Sequence, residues 1–268
     1  MLVNQYGTLI MKQPSVIVIT GASSGIGAAL ATLYAGPGIT LGLLGRDQVR
    51  LGDVASRCIA QGAKVEACIL DVRDSGGLRQ WLTQFNEEHP IDLLVANAGI
   101  SAGTGGQGES ENQVRDIFAI NVDGMLNTIL PVIPLMQARK HGQIALMSSL
   151  AGIRGLPSCP AYSASKMAVR GLGEGLRGVL KKEGIGVSII CPGYIHTPMT
   201  EVNEFPMPFI MTAEKAARII RNGLARGRAR IAFPRLLYLP LWWICCLPSL
   251  LIDPFFAALP AKTAKKGP

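Results

Sequence analysis

Charge is scarce in this chain: Asp, Glu, Lys and Arg make up 16% of its 268 residues, against 49% hydrophobic. That balance excludes a disordered chain, which cannot bury enough apolar surface to offset its ordering entropy. Aromatics are sparse at 6%, and there are only three histidines, His89, His141 and His196, far apart in sequence. The six cysteines (Cys58, Cys68, Cys159, Cys191, Cys245 and Cys246) never fall in a C-x-x-C spacing. With ligands so scattered no metal site is expected, and the thiols read as buried side chains of a reducing cytoplasm. The opening MLVNQYGTLIMKQPS lacks the basic segment and following apolar run of a secretion signal, so residues 1–14 read as a short, loosely ordered lead-in. Also missing are an internal repeat of 20–50 residues and a low-complexity tract.

The net charge of +8 is unevenly placed. From Arg221 onward, eight basic residues (Arg221, Arg226, Arg228, Arg230, Arg235, Lys262, Lys265 and Lys266) meet one acid, Asp253, leaving +7 there and +1 over residues 1–220. Positive charge therefore brackets an apolar tail instead of covering one face of the domain, and nucleic acid is not expected as a partner. The tail LLYLPLWWICCLPSLLI, Leu236–Ile252, runs seventeen residues without a charge. Crossing about 30 Å of hydrocarbon takes about 20 helical residues. Pro240 and Pro248 would each remove a helical hydrogen bond that lipid cannot replace, which argues against a span. Two readings stay open. One is an interfacial element, with Trp242 and Trp243 at the headgroup boundary and peripheral membrane contact through 236–260. The other is a greasy arm folded over a substrate mouth or against a partner subunit.

Ahead of the tail, short β-branched runs alternate with helical spacing. SVIVIT (15–20), ITLGLLG (39–45), KVEACILDV (64–72), IDLLVANAG (91–99), GQIALMSS (142–149) and GVSIICPG (186–193) read as strands, and ARIAFP as a last one. Helices are expected over 26–34, 48–61, 78–88, 111–138 (bent near Pro131 and Pro134), 161–183 and from a Thr212 cap to about Arg226. Connections this long exclude hairpins and imply a doubly wound parallel α/β sheet in one domain, residues 15–234, with 235–268 as an extension.

TGASSGIG, Thr20–Gly27, stands directly between the first strand and its helix. Gly21 permits a tight turn, Gly25 lets the backbone approach a pyrophosphate, and Gly27 allows close helix–strand packing, with the helix N-terminus aimed at phosphate. At the end of the second strand a site for NAD wants an acid for the ribose 2′-hydroxyl. The chain has Gly45-Arg46-Asp47. Arg46 could hold a 2′-phosphate bidentately, so NADP is favoured over NAD, with Asp47 the acid that would argue otherwise.

These residues together with Asp71-Val72, Asn97-Ala98-Gly99, Asn121, Ser149, Tyr162-x-x-x-Lys166 and Pro192-Gly193 resemble the short-chain dehydrogenase/reductase pattern over about 15–199. The resemblance implies a Rossmann-type fold, a homo-oligomer (dimer or tetramer), and an NAD(P)-dependent oxidoreductase interconverting a carbonyl and an alcohol. It implies cofactor contacts from Gly21, Ser23, Ser24, Gly25, Ile26, Gly27, Arg46, Asp71 (adenine), Val72, Asn97, Ala98, Gly99, Tyr162, Lys166, Pro192, Gly193, Ile195 and Thr197. Asn121, Ser149, Tyr162 and Lys166 are the implied catalytic set, with Asn121 supporting a relay water beside Lys166. Ser148 is the alternative to Ser149, which the family spacing selects. Ala96 stands where many relatives carry Asn.

The chemistry suits these residue types. Tyr162 and Lys166, four apart on a helix, share a face. A phenol of pKa about 10 is a poor proton donor and acceptor at neutral pH, and a neighbouring ammonium is expected to draw it toward the working range. The segment MTEVNEFPMPFIMTAEK carries Phe205, Met207, Phe209, Ile210 and Met211, either a lid over 199–213 for an apolar substrate or packing on the sheet. SAGTGGQGES (101–110) is expected to be a second mobile element. Rival readings are a cofactor-binding sensor and a membrane-tethered scaffold on the same fold. The intact serine, tyrosine and lysine argue against a sensor.

Overall fold

The computed structural model describes residues 2–3, 9–10, 13–105, 108–201, 203 and 205–257. Most of the lead-in, the residues from 258 on (Lys262, Lys265 and Lys266 among them) and four positions in two loops (106, 107, 202 and 204) lie outside them. Within the lead-in, Leu2–Val3 pairs antiparallel with Leu9–Ile10.

Seven strands form one sheet: β1 (Val16–Thr20), β2 (Thr40–Gly45), β3 (Lys64–Ile69), β4 (Leu93–Ala96), β5 (Gly142–Met147), β6 (Ile185–Pro192) and β7 (Arg230–Phe233). Their order is β3-β2-β1-β4-β5-β6-β7, and every pairing is parallel. Ile17 of β1, for example, sits opposite Leu41 on one side and Leu93 on the other. The winding direction reverses between β1 and β4, which opens a crevice beyond their carboxyl ends, the place where open α/β sheets bind ligands.

Helices cover both faces: α1 (Gly25–Tyr34), α2 (Gln48–Ala60), α3 (Ser75–Glu88), α4 (Glu111–Phe118), α5 (Gly124–Ile129), α6 (Val132–Arg139), α7 (Pro160–Leu180), the short α8 (Pro198–Glu201) and α9 (Ala213–Ala225). Strand side chains alternate between faces, so the sheet divides two cores. Ile17, Ile19, Leu41 and Leu43 pack with Leu30 of α1, Leu51 and Val54 of α2 and Ile220 of α9. Val18, Leu94 and Ile144 pack with Leu82 and Phe85 of α3, Ile129 of α5, Met136 of α6 and Val169 of α7. Each such buried side chain contributes about 1.5–3 kcal/mol relative to exposure, which makes burial, not intrinsic propensity, the main determinant of these elements.

The expected long helix over 111–138 is three helices. α4 runs into a π turn, Ala119–Asp123, and α5 stops at Ile129, with the break at Pro131. Pro134 bends nothing, because it lies in the first turn of α6, where an amide has no helical partner to lose. The run Glu111–Arg139 is long and apolar enough to cross a membrane, yet half of its most apolar window is buried in the fold, as befits a core helix. After β7 the tail makes α10 (Arg235–Ile244) and α11 (Ser249–Ala257), neither long enough to span a bilayer.

Candidate active site

A cleft of about 1170 Å³ lies at the reversal point. One wall is the β1–α1 turn. Gly25 has φ +54°, and a Cβ there would stand 2.8 Å from Thr197 Cγ2, so the turn and the chain after β6 touch. A Cβ on Gly27 would overlap the Gly21 carbonyl oxygen and come within 2.7 Å of Asn97 Nδ2. Thr20 stitches this wall to β4: its Oγ1 accepts from Asn97 N (3.1 Å) and Ala98 N (3.2 Å), while Asn97 Nδ2 donates to Thr20 O and Gly21 O. Asp47, Asp74, Ser110 and Thr212 cap α2, α3, α4 and α9, but Ser24 leaves the first amides of α1 without a side-chain cap. Bare amides beside a glycine turn in a cleft of this size fit the phosphates of a dinucleotide.

The β2 end answers the question Asp47 raised. Its carboxylate accepts from Arg50 N (2.9 Å) and Arg50 Nε (2.7 Å), and this capping holds its pKa below the usual carboxylate range. Arg46 is left facing the cleft, more than half exposed, 3.5 Å from Asp71. Asp71 is itself bound by Arg73 through Nε, Nη2 and the backbone amide, which lowers its pKa. Its side chain is thus already engaged at the edge expected to receive adenine. Val72 lines the same part of the cleft.

The cleft floor holds three of the four expected catalytic side chains. Ser149 follows β5, and its Oγ accepts from Ala151 N (3.1 Å) and hydrogen-bonds Tyr162. Ser148 is committed elsewhere, donating to Lys166 O at 2.7 Å. Lys166 is 4% exposed, its Nζ donating to Met147 O at 2.9 Å and lying 5.8 Å from the Tyr162 ring centre. Asn121 does not reach the cleft surface. It lies in the π turn, buried, with Oδ1 accepting from Ile100 N (2.8 Å) and Nδ2 donating to Ile100 O and Ser165 Oγ (3.0 Å each). Ser165, which no sequence signal marked, ties that turn to α7.

The expected lowering of the tyrosine pKa does not occur in the protein alone. Tyr162 keeps part of its surface in the cleft, but enclosure by the walls pushes the phenol up to about 12, with the Ser149 hydrogen bond opposing. Burial draws Lys166 down to about 8, and its Nζ faces a carbonyl, not the phenol oxygen. A lysine with a depressed folded pKa loses its proton before the unfolded chain does. Its penalty is therefore full below pH 8 and is relieved as pH rises toward its ordinary value of 10.5. The unfolding free energy of the protein minus that of Lys166→Met is expected to rise by about 2 kcal/mol from pH 7 to 9.5 in urea titrations. A flat difference would rule out the buried ammonium.

The start of α7 is capped from a distant loop. Cys159 does not cap α7 with its side chain. Instead Glu109 Oε2 accepts from Ala161 N at 2.8 Å, while Oε1 is buried without a partner among the described residues.

The mouth mixes expected and unexpected groups. Of the 199–213 segment, Phe205 lines the cleft and meets the Tyr194 ring edge-on at 6.0 Å. Met211 belongs to the core, bridged to Ile195, and Phe209 is exposed at φ +56°. The tail covers the opening: Leu237, Leu241 and Ile244 of α10 and Phe256 of α11 line the cleft. Arg154, five residues past Ser149, forms an ion pair with Asp253 and lies 5.1 Å from the Phe256 ring centre. Of the two readings open for the tail, the greasy arm over a substrate mouth describes this inner face of α10, spaced 237, 241 and 244.

Comparison with known proteins agrees with this geometry. A family described as short chain dehydrogenase matches residues 15–205. An uncharacterized oxidoreductase of Myxococcus xanthus (strain DK1622) is 37% identical over 237 residues, 88% of this chain and 94% of that protein. A short-chain dehydrogenase from Sphingobium yanoikuyae, solved in complex with NADPH, superimposes with TM-score 0.77 at 25% identity over 91% of this chain and 96% of that one. Another, from Mycobacterium paratuberculosis bound to NAD, gives 0.72 at 26% identity over 80% and 94%. With the family match over residues 15–205, the relatives and the sheet order in agreement, the chain belongs to the short-chain dehydrogenase family and is an oxidoreductase of that type.

Proposed function

We propose that the enzyme interconverts a ketone or aldehyde and its alcohol, running as an NADPH-dependent reductase of an apolar, lipid-like carbonyl compound. The convergence of Ser149, Tyr162 and Lys166 at the floor of a cleft with apolar outer walls carries this reading. A nicotinamide held in this cleft would supply the hydride. Gly21, Ser23, Ser24, Gly25, Ile26 and Gly27, with the α1 amides, hold the pyrophosphate. Arg46 takes the 2′-phosphate, Asp71 and Val72 the adenine end, and Asn97, Ala98 and Gly99 line the channel. Pro192, Gly193, Ile195 and Thr197 face the carboxamide, with Tyr162 and Lys166 toward the ribose.

Ser149 fixes the substrate oxygen beside the Tyr162 hydroxyl, which gives up its proton as negative charge builds there. Lys166, drawn below its ordinary pKa by burial and with Nζ 5.8 Å from the Tyr162 ring centre, is the group that would return a proton toward the tyrosine. Asn121 acts at one remove, holding the 100–101 backbone and α7 in register.

Residues 15–234 form the catalytic domain, with 199–213 its substrate lid and 235–268 an extension. The enzyme works in the cytoplasm as a homo-oligomer, with peripheral membrane contact through 236–260. For straight-chain methyl ketones, kcat/KM in NADPH oxidation is expected to rise about threefold to fourfold per methylene until the cleft is filled. A flat series would sink the apolar reading.

A further inference from the structure

The two tail helices have two apolar faces each, and among the described residues only one is covered. On α10, Leu237, Leu241 and Ile244 turn into the cleft, while Leu239, Trp242 and Trp243 turn away, Trp243 at 67% exposure. On α11, Ile252 and Phe256 are buried, while Leu250 is 86% exposed and Leu251 65%. Continuous apolar surface of this kind marks a contact site. The Trp242 and Trp243 rings sit edge to face at 5.4 Å, wide amphipathic groups suited to a boundary between oil and water.

Charge decides between the possible occupants. The segment from Arg221 carries +7, and its only acid, Asp253, is neutralised by Arg154. A second copy would bring a segment of the same net charge, whereas an anionic lipid surface is complementary to it. Helices of ten and nine residues are too short to span and long enough to lie in the headgroup layer.

We propose that α10 and α11 seat the enzyme on an anionic bilayer with the cleft mouth against the lipid, so that a chain-bearing ketone passes from bilayer to Tyr162 without crossing water. This rests on the apolar-substrate reading above and adds its route and partner surface. Because the same helices carry both the outer face and the cleft lining, seating and access are one event. Arg154 links α11 to the short turn after Ser149, which places the lipid-facing helix one ion pair from the substrate serine loop.

The test uses the full chain and sedimentation with two vesicle types, phosphatidylcholine alone and phosphatidylcholine with phosphatidylglycerol. Binding is expected mainly to the anionic vesicles, weakening about tenfold in 0.5 M salt. The double variant Trp243→Glu, Leu250→Glu, at positions that do not line the cleft, is expected to lose about a hundredfold in vesicle affinity. It should keep wild-type NADPH oxidation with a short water-soluble ketone, while KM for a long-chain ketone dissolved in vesicles rises at least about tenfold. No wild-type pelleting with anionic vesicles overturns the proposal, as does equal pelleting of the variant. Light scattering that shows the variant dissociating a wild-type oligomer, without vesicle binding, assigns the face to a second copy instead. Vesicle binding without turnover of any ketone would defeat the functional reading and leave the seating intact. Turnover of long-chain ketones without vesicle binding would do the reverse.

Discussion

Tyr162→Phe is expected to lower kcat for ketone reduction about a thousandfold while leaving NADPH affinity within about threefold. One oxygen is removed from a buried side chain whose ring packing the phenylalanine keeps, so the fold and the cleft persist. What disappears is the hydroxyl that hydrogen-bonds Ser149 at the cleft floor. Enclosure holds the phenol at about 12, so it keeps its proton until an alkoxide-like oxygen develops beside it, which is the behaviour wanted of a general acid in the reducing direction. Stopped-flow hydride transfer and NADPH fluorescence titration separate the two effects. A variant within tenfold of wild-type kcat would mean that water or Lys166 supplies the proton and that the phenol only positions the substrate.

Arg46→Ala is expected to cost about 10–100-fold in kcat/KM with NADPH and to leave the value with NADH within about twofold, the range given by losing charge-assisted hydrogen bonds of about 1.5–3 kcal/mol. The side chain is free to act this way because its neighbours are committed: Asp47 caps α2, and Asp71 is held by Arg73 after Arg46 is removed. Its loss therefore disturbs no core contact. If both cofactors weaken alike, the guanidinium supports the β2 end generally and does not read the 2′-phosphate. If wild type already prefers NADH, the reading of Gly45-Arg46-Asp47 is wrong.

The fold was legible because its determinants are local. Each β-branched run before a glycine became a strand, and Thr212 and Asp47 cap helices as their residue types dictate. The pairing of Tyr162 with Lys166 followed from the family resemblance together with helical spacing. Other features depend on partners far away in sequence. Nothing near Ser165 signals that its hydroxyl will accept from Asn121, 44 residues earlier, nor does a π turn announce itself between Phe118 and Gly124. Met211 and Phe205 look alike in a lid-like segment. Only the bridge from Met211 to Ile195 sends one to the core and the other to the cleft. The direction of the Tyr162 shift was missed for a similar reason. Spacing along a helix says that two groups are neighbours, not that enclosure outweighs their attraction.

The Glu109 carboxylate carries a last consequence. It satisfies the first N–H of α7, Pro160 having none, from a loop 52 residues upstream, and Tyr162 is the next residue along the helix. Loop and helix end therefore cannot fluctuate independently. Loss of that one hydrogen bond would uncover the Ala161 amide in the turn that carries the phenol. The aim of the phenol is thus held in part from Glu109, a side chain that does not line the cleft, so a substitution there would act on the proton donor from outside the site.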